Sequence, residues 1–449
     1  MTTKSIAKKS LAITSRCQLG SSEIYKYYLV FLSTCIVAVA YSDRFLIGLL
    51  TQSIKSDLNL SDFQIGAVTG FAFAAFYSLL GVPIGRLADR VDRSTVASIS
   101  MSIWGVMLIL TGGVSSFAQL AAVRAGAAIG ESGSMPATYS LIGESFKGRG
   151  LTRAMTLYMT SPNLCVLIGF LLGGWINAMY GWRVALSSFG ILGICLAAVA
   201  KLTIYDPRSS IAGHQKVSTE PVSSMSFLKV MGTLWRNRSY RLVVAGFVFW
   251  HMFFSSFWAW VAPVLYRSFQ LTTEEISIWL GLGASAAGIA GTWLGGLVFD
   301  WRWGGRAKAQ VRAAIIAMAL VLCLNTLFLT SSSVNYALAL IMSLIFVGSS
   351  FNGPIFAIVQ GLARHEMRAT SLSVLLMTMN LVGLSLGPSL VGLASDELEI
   401  YLNNEALRGG MLIIGVPTII ASIWCFWRLS CLVSADLADV ADAQDARKS

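Results

Sequence analysis

"AVAYSDRFLIGLL", residues 38–50, sets an acid and a base side by side inside an apolar run. Without Asp43 and Arg44 the stretch reads as a membrane-spanning helix. The rest of the chain supports that reading. Its 449 residues are 55% hydrophobic and 12% charged, with a mean hydropathy of +0.68. A soluble domain carries about 25% charged residues, so the shortfall points to a polytopic membrane protein. A span needs about 20 mostly apolar residues. Twelve stretches qualify, near 27–50, 63–87, 95–115, 117–143, 154–180, 184–204, 241–266, 276–299, 311–330, 335–363, 370–393 and 409–429. Only helices or closed barrels satisfy every backbone polar group without water. The runs lack the period-2 alternation of barrel strands. The expected fold is therefore an all-α membrane protein with twelve transmembrane helices.

Most of the 33 Lys and Arg fall on one side: the N-terminus, the even-numbered connections and the C-terminus. Lys55, Arg183, Arg267 and Arg408 fall on the other, and Arg44 and Arg124 lie inside spans. The positive-inside rule then puts both termini in the cytoplasm, in the inner (plasma) membrane of a bacterium. The net charge of +11 reports topology, and no basic stripe calls for nucleic acid. Seven cysteines show no CxxC spacing and read as small apolar fillers, with no metal site. The first 22 residues, rich in Lys and Ser with no acid, share a bias with organellar transit peptides. A plain cytosolic tail is the preferred reading.

The longest polar connection, 206–240, separates six spans from six. It divides the chain into an N-terminal tail (1–26), a six-helix bundle (27–205), a cytoplasmic linker (206–240), a second six-helix bundle (241–429) and a C-terminal tail (430–449). "SFLKVMGTLWRNRSY" within the linker fits either a short amphipathic surface helix or plain linker. The halves repeat. "GRLADR" (85–90) matches "GLVFDW" (296–301), while Gly130, Pro136 and Gly143 match Gly348, Pro354 and Gly361 at one constant offset. Such pseudo-symmetry is expected of secondary transporters, whose site lies near the midplane. Prolines at 136, 162, 263, 354, 388 and 417 offer kinks to the helices.

"GRLADRVDRS" (85–94) resembles the signature loop between the second and third helices of the major facilitator superfamily, departing from it at Asp92. "GWR" (181–183) fits as well. Within that superfamily the chain is similar to the spinster-like branch, at "YSDRFLIGLL", at "RAGAAIGESGSMPATYSLIGESF" (124–146) and at "WAWVAPVLY" (258–266). The resemblance implies the major facilitator fold and proton-coupled movement of lysophospholipids or sphingoid phosphates. It also implies that Asp43, Arg44, Arg124 and Glu131 carry coupling and head-group contact.

The charges support that role independently. Each costs about 2.5–3.5 kcal/mol at the bilayer centre, so the four must face one another or a wet cavity. Arg124 and Glu131 lie on one helix face, about 10 Å apart along the axis. That gap leaves room for a third group, and Asp43 is a candidate. Asp43 and Arg44 point about 100° apart, so they are not each other's partner. A low dielectric favours a neutral carboxyl and a nearby Arg the ionised one, so either Asp43 or Glu131 suits proton coupling. Arg44 and Arg124, always charged, suit an anionic substrate. The competing reading is a fixed ion network that pins spans one and four together. Gly85, Asp89, Arg90 and Arg93, at a cytoplasmic helix end, read as a gating latch.

The second half has no Asp, Glu, Lys or Arg at mid-depth. Ser349 matches Glu131, and Asn352 is a further polar contact. His251 is the one titratable group, in the aromatic stretch "FWHMFFSSFWAW" (249–260) with Trp258. An ionic wall facing an apolar one fits an amphipathic anion better than a sugar. Small organic or sugar acids and multidrug efflux remain alternatives. An enzyme is disfavoured: there is no zinc motif, P-loop or nucleophile elbow, and no cofactor is implied. The expected partners are protons, a small amphipathic or anionic substrate and the lipid bilayer, with the chain as a monomer.

Overall fold

The computed structural model describes residues 22–146, 148–204, 227–303, 306–363 and 367–445. All its regular structure is helical. Nine helical stretches among the described residues are long and apolar enough to cross a membrane, so the protein is a multi-pass membrane protein. The N-terminal tail up to residue 21 and linker residues 205–226 lie outside the described residues.

The chain divides into two compact units. The first holds Met1–Leu46 and Phe76–Thr219. Helix α1 (Glu23–Leu58) starts in this unit. The chain continues through α2 (Asp62–Gly66) and a π-turn at Ala67–Ala72, both assigned to the second unit, into α3 (Phe73–Arg90), which belongs to the first unit from Phe76 on. Then come α4 (Arg93–Thr111), α5 (Phe117–Ser145), α6 (Gly148–Tyr158) and α7 (Ser161–Thr203). Val30 and Val37 of α1, Ile142 of α5, Phe146, and Ala154 and Tyr158 of α6 form one core cluster. In α7, Gly181 breaks the helix at φ 82°, a left-handed conformation that glycine adopts without a Cβ clash. The break divides 43 residues into two segments, and Arg183 stacks over Trp182 beside it at 4.3 Å.

Lipid supplies no hydrophobic drive between helices, so small residues at the crossings set how closely they pack. A Cβ on Gly130 would stand 2.4 Å from the Trp104 amide nitrogen. One on Gly193 would stand 2.4 Å from the Trp104 ring. Trp104, fully buried, is thus held between α5 and α7. Gly105 and Gly190 meet reciprocally: a Cβ on either would stand 2.6 or 2.5 Å from the other's carbonyl oxygen.

The second unit holds Ile47–Ala75 and Glu220–Ser449. It contains α8 (Phe227–Arg236), α9 (Arg238–Phe269) and α10 (Thr273–Ile278), the last passing through a π-turn at Trp279–Ala284 into α11 (Ser285–Trp303). Next are α12 (Ala307–Thr330), α13 (Val334–Ser349), α14 (Asn352–Gly361) and α15 (Arg368–Thr378). A third π-turn at Met379–Leu384 leads into α16 (Ser385–Leu402), and α17 (Ala406–Asp445) follows a 3₁₀ turn. Within the "SFLKVMGTLWRNRSY" stretch Phe227–Arg236 form a helix, α8, and Arg238 already begins α9. The π-turns at Ala67–Ala72 and Trp279–Ala284 sit at matching places ahead of the repeated "GRLADR" and "GLVFDW", so the internal repeat extends to backbone geometry.

Prolines act as their positions require. Pro136, Pro263, Pro388 and Pro417 lie inside helices. Pro162 and Pro354 fall in first turns, where the missing N–H has no partner to lose. The expected tenth span is accordingly split between α13 and α14, at Ser350–Phe351.

Gly130→Ala should destabilise the protein by about 1–3 kcal/mol through overpacking against Trp104. Gly81→Ala, where nothing stands within 4 Å of the added Cβ, should not. Thermal unfolding of both variants in detergent checks this.

Candidate functional site

The four intramembrane charges of the first unit meet as two crossed pairs. Arg124 Nη1 donates to Asp43 Oδ2 at 2.6 Å. Arg44 Nη2 donates to Glu131 Oε1 at 2.5 Å. Asp43 therefore does not bridge Arg124 and Glu131. Each pair takes its Arg from a different helix, and the long guanidinium arms span the two turns between Arg124 and Glu131. The close contact of Gly130 with Trp104 also brings the Trp104 indole N–H to Asp43 Oδ2, at 3.4 Å. Ser42, next to Asp43, offers its carbonyl to the bare face of Gly169, which fixes α1 against α7.

The two pairs differ in access. Asp43 and Glu131 are fully buried and the Arg124 side chain is 2% exposed, whereas that of Arg44 is 22% exposed. Glu131 Oε2 and Asp43 Oδ1 are each buried with no hydrogen-bond partner among the described residues.

At the end of α3, the side chains of Asp89 and Arg90, and Gly85 with them, fall outside those described. Arg93 is described: its Nη1 pairs with Glu144 Oε1 at 2.6 Å and donates to the Ser140 carbonyl. Asp92 caps α4, accepting from the Thr95 amide at 3.1 Å and from Lys201 Nζ at 3.3 Å. Burial opposes its ionisation, yet hydrogen bonds from Thr95, Ser94 and Lys201 hold the carboxyl below the usual carboxylate range.

In the second unit, His251, Phe254 and Trp258 form a half-buried stripe on α9. Behind it Trp250, Phe253, Phe257 and Trp260 are buried, so these four are core and not a lipid-facing belt. The His251 Cβ lies against the bare face of Gly383, in the third π-turn. Phe254 packs edge-on to Trp258 at 6.1 Å, and Trp250 packs on Phe351 at 4.8 Å. Ser349 and Asn352 flank the α13–α14 break, where Asn352 Nδ2 reaches the Gly348 carbonyl at 3.5 Å.

One charged cluster was not singled out by the sequence. Asp62, 1% exposed, accepts two bonds from Arg267 at 2.7 and 2.8 Å, one from Lys55 at 2.7 Å and one from Ser395 at 2.8 Å. Asp396 accepts the Asp62 and Phe63 amides at 2.8 Å each, and Arg267 Nε reaches Gln52. Gly66 and Gly392 allow the approach, with Cβ positions 2.4 Å from the Pro388 carbonyl and 2.3 Å from the Asp62 carbonyl. The available signal was that Lys55 and Arg267 are two of the few bases on their side, with an acid close to both ends of a short connection.

Residues 32–388 match the model of the Major Facilitator Superfamily. The chain belongs to that superfamily. An MFS-type efflux pump of Mycolicibacterium smegmatis is 30% identical over 406 residues, covering 89% of this chain and 92% of that protein. A Bacillus subtilis protein described as "Probable galactarate/D-glucarate transporter" is 23% identical over 381 residues, 78% of this chain and 82% of its own. Among solved structures, a bacterial homolog to the human lysosomal transporter Spinster superposes with a TM-score of 0.75 at 22% identity, covering 94% of this chain and 98% of that one. At that identity the likeness shows a shared fold. Membership makes the protein a secondary-active transporter and not an enzyme.

Two outcomes follow for this superfamily member. Arg267→Ala leaves Asp62 buried without its main partner and should cost about 3–5 kcal/mol, read as a lower unfolding temperature. Asp92, an acid held below its usual range, stabilises the fold above the ordinary carboxylate pKa, and that contribution disappears as pH falls through the lowered value. Asp92→Ala should therefore cost about 1 kcal/mol of helix capping at neutral pH. Its deficit against wild type should close in acid, in unfolding curves recorded across pH.

Proposed function

We propose that the protein is a proton-coupled transporter of an amphipathic or lipid-like organic anion of lysophospholipid type, working by alternating access as a spinster-like member. The observation that carries this reading is the buried second oxygen of Glu131, which has no donor among the described residues, beside the partly exposed Arg44. The open oxygen is a place for a proton, and Arg44 is the cation an incoming anion reaches first. Asp43 and Arg124, more deeply enclosed and tied to Trp104, act in this reading as the brace that holds α1 on α5. His251, Trp258, Ser349 and Asn352 are in this reading further substrate contacts, and Gly85, Asp89, Arg90 and Arg93 a gating loop.

The reading includes twelve spans in two six-helix bundles, 27–205 and 241–429. The nine long stretches, α5, and second crossings in Arg153–Thr203 and Thr370–Ser434 would supply them. Helix α5 falls short on hydropathy because it carries Arg124, Glu131 and a series of Gly and Ser. It further includes both termini in the cytoplasm, an inner-membrane location and a monomer.

A second reading, efflux of organic cations, is favoured by the relative described as an efflux pump. There the open oxygen of Glu131 would accept a drug amine.

Purified protein in liposomes, with a pH-sensitive dye inside, tests both. Oleoyl lysophosphatidylglycerol, D-glucarate and ethidium are offered in turn. Proton flux triggered by the lysolipid, and reduced to the level of empty liposomes by Glu131→Gln, is the expected result. Flux with ethidium alone would establish the second reading, and flux with D-glucarate alone would make the substrate a sugar acid.

A further inference from the structure

The guanidinium of Arg44 has neighbours besides Glu131. Its Cζ lies 4.5 Å from the centre of the Tyr41 ring and 5.1 Å from that of Tyr77. Both distances are inside the roughly 6 Å over which a ring face attracts a cation. The two rings come from different helices, Tyr41 from α1, one turn before Arg44, and Tyr77 from α3. Their hydroxyls bond to each other at 2.7 Å, the Tyr77 hydroxyl also accepts from the Arg44 guanidinium, and Tyr41 reaches Met135 Sδ, one turn beyond Glu131 on α5, at 3.5 Å. The rings are therefore held by three helices, and their hydroxyl groups bond to one another while Glu131 Oε2 has no donor among the described residues.

A proton on Glu131 would remove the counter-charge of Arg44. A guanidinium whose counter-charge is weakened at that depth is less favourable in lipid and tends to swing toward water or another acid. Ring faces are partners that no pH change removes. We propose that Tyr41 and Tyr77 are positioning residues that clamp Arg44 between two π faces while Glu131 is neutral, so that the cation stays in place to receive the anion. This rests on the proton-coupled reading above and adds to it two residues that touch Arg44 and set its affinity for substrate.

The test uses the full chain in liposomes and whichever of oleoyl lysophosphatidylglycerol and D-glucarate drives proton flux. Tyr41→Leu/Tyr77→Leu should raise KM for that anion by about tenfold, the scale of one or two desolvated ring–cation contacts, with the unfolding temperature close to wild type. Tyr41→Phe/Tyr77→Phe keeps both faces and should restore KM. If the leucine variant does not fold, phenylalanine and its mono-, di- and trifluoro analogues at position 77 keep the shape and weaken the face stepwise, and KM should rise with each fluorine. A KM unmoved by leucine or fluorine, with Glu131→Gln still abolishing flux, overturns the clamp and leaves the transport reading standing. A KM that phenylalanine fails to restore assigns the effect to the hydroxyl pair and also overturns it. If neither anion drives flux that depends on Glu131, the transport reading falls and the clamp falls with it.

Discussion

An ion in hydrocarbon must have a partner, and in this protein two arginines and two acids meet that demand across a single helix crossing. Asp43 and Arg44 are one residue apart, and Arg124 and Glu131 are seven. The mismatch is resolved by drawing one guanidinium from each helix, so that both pairs form without bending either backbone. Glycine and tryptophan then fix the distance: Gly130 admits Trp104, and Trp104 returns a hydrogen bond to Asp43. Packing and electrostatics are thus one constraint. A wider crossing would leave both pairs unmade, and unpaired charges would reopen the crossing.

The two pairs differ in access. The Asp43–Arg124 pair is enclosed and tied to an indole. The Arg44–Glu131 pair keeps an open carboxylate oxygen and a partly exposed cation, with two ring faces alongside. In the second unit a linked ion cluster gathers around Asp62, near the ends of α1 and α9, while the middle of α9 presents aromatic rings and one histidine. The chain keeps its mid-depth charge in the first half and its bulk apolar surface in the second.

Helical character, the long apolar stretches and the four important charges were legible in the sequence, because hydropathy and isolated ions in apolar runs are strong local signals. So was the repeat, since Gly and Pro positions survive where side chains vary. The pairing was not legible. Adjacent charges on one helix say that they diverge, but not which of two distant partners each one finds. Tyr41 and Tyr77 went unnoticed because a tyrosine in a span reads as apolar bulk until the neighbouring cation is placed. Asp62 drew no attention, because only the tertiary arrangement brings Lys55, Arg267 and Ser395 around it. The split at Ser350–Phe351 was signalled by Pro354 only as a kink, because a proline three residues into a helix marks a beginning as readily as a bend.

The pairing also has an electrical consequence. Two acids and two arginines make a wall with no net charge, so a membrane potential exerts no force on it. One proton on Glu131 makes the wall singly positive, and a monovalent anion on Arg44 returns it to neutrality. Each elementary charge carried across the membrane is worth about 2.3 kcal/mol per 100 mV. The field would therefore act on a carrier holding a proton without its anion, and pass over one holding both. Voltage would then sort half-loaded carriers from filled ones without any residue dedicated to sensing it.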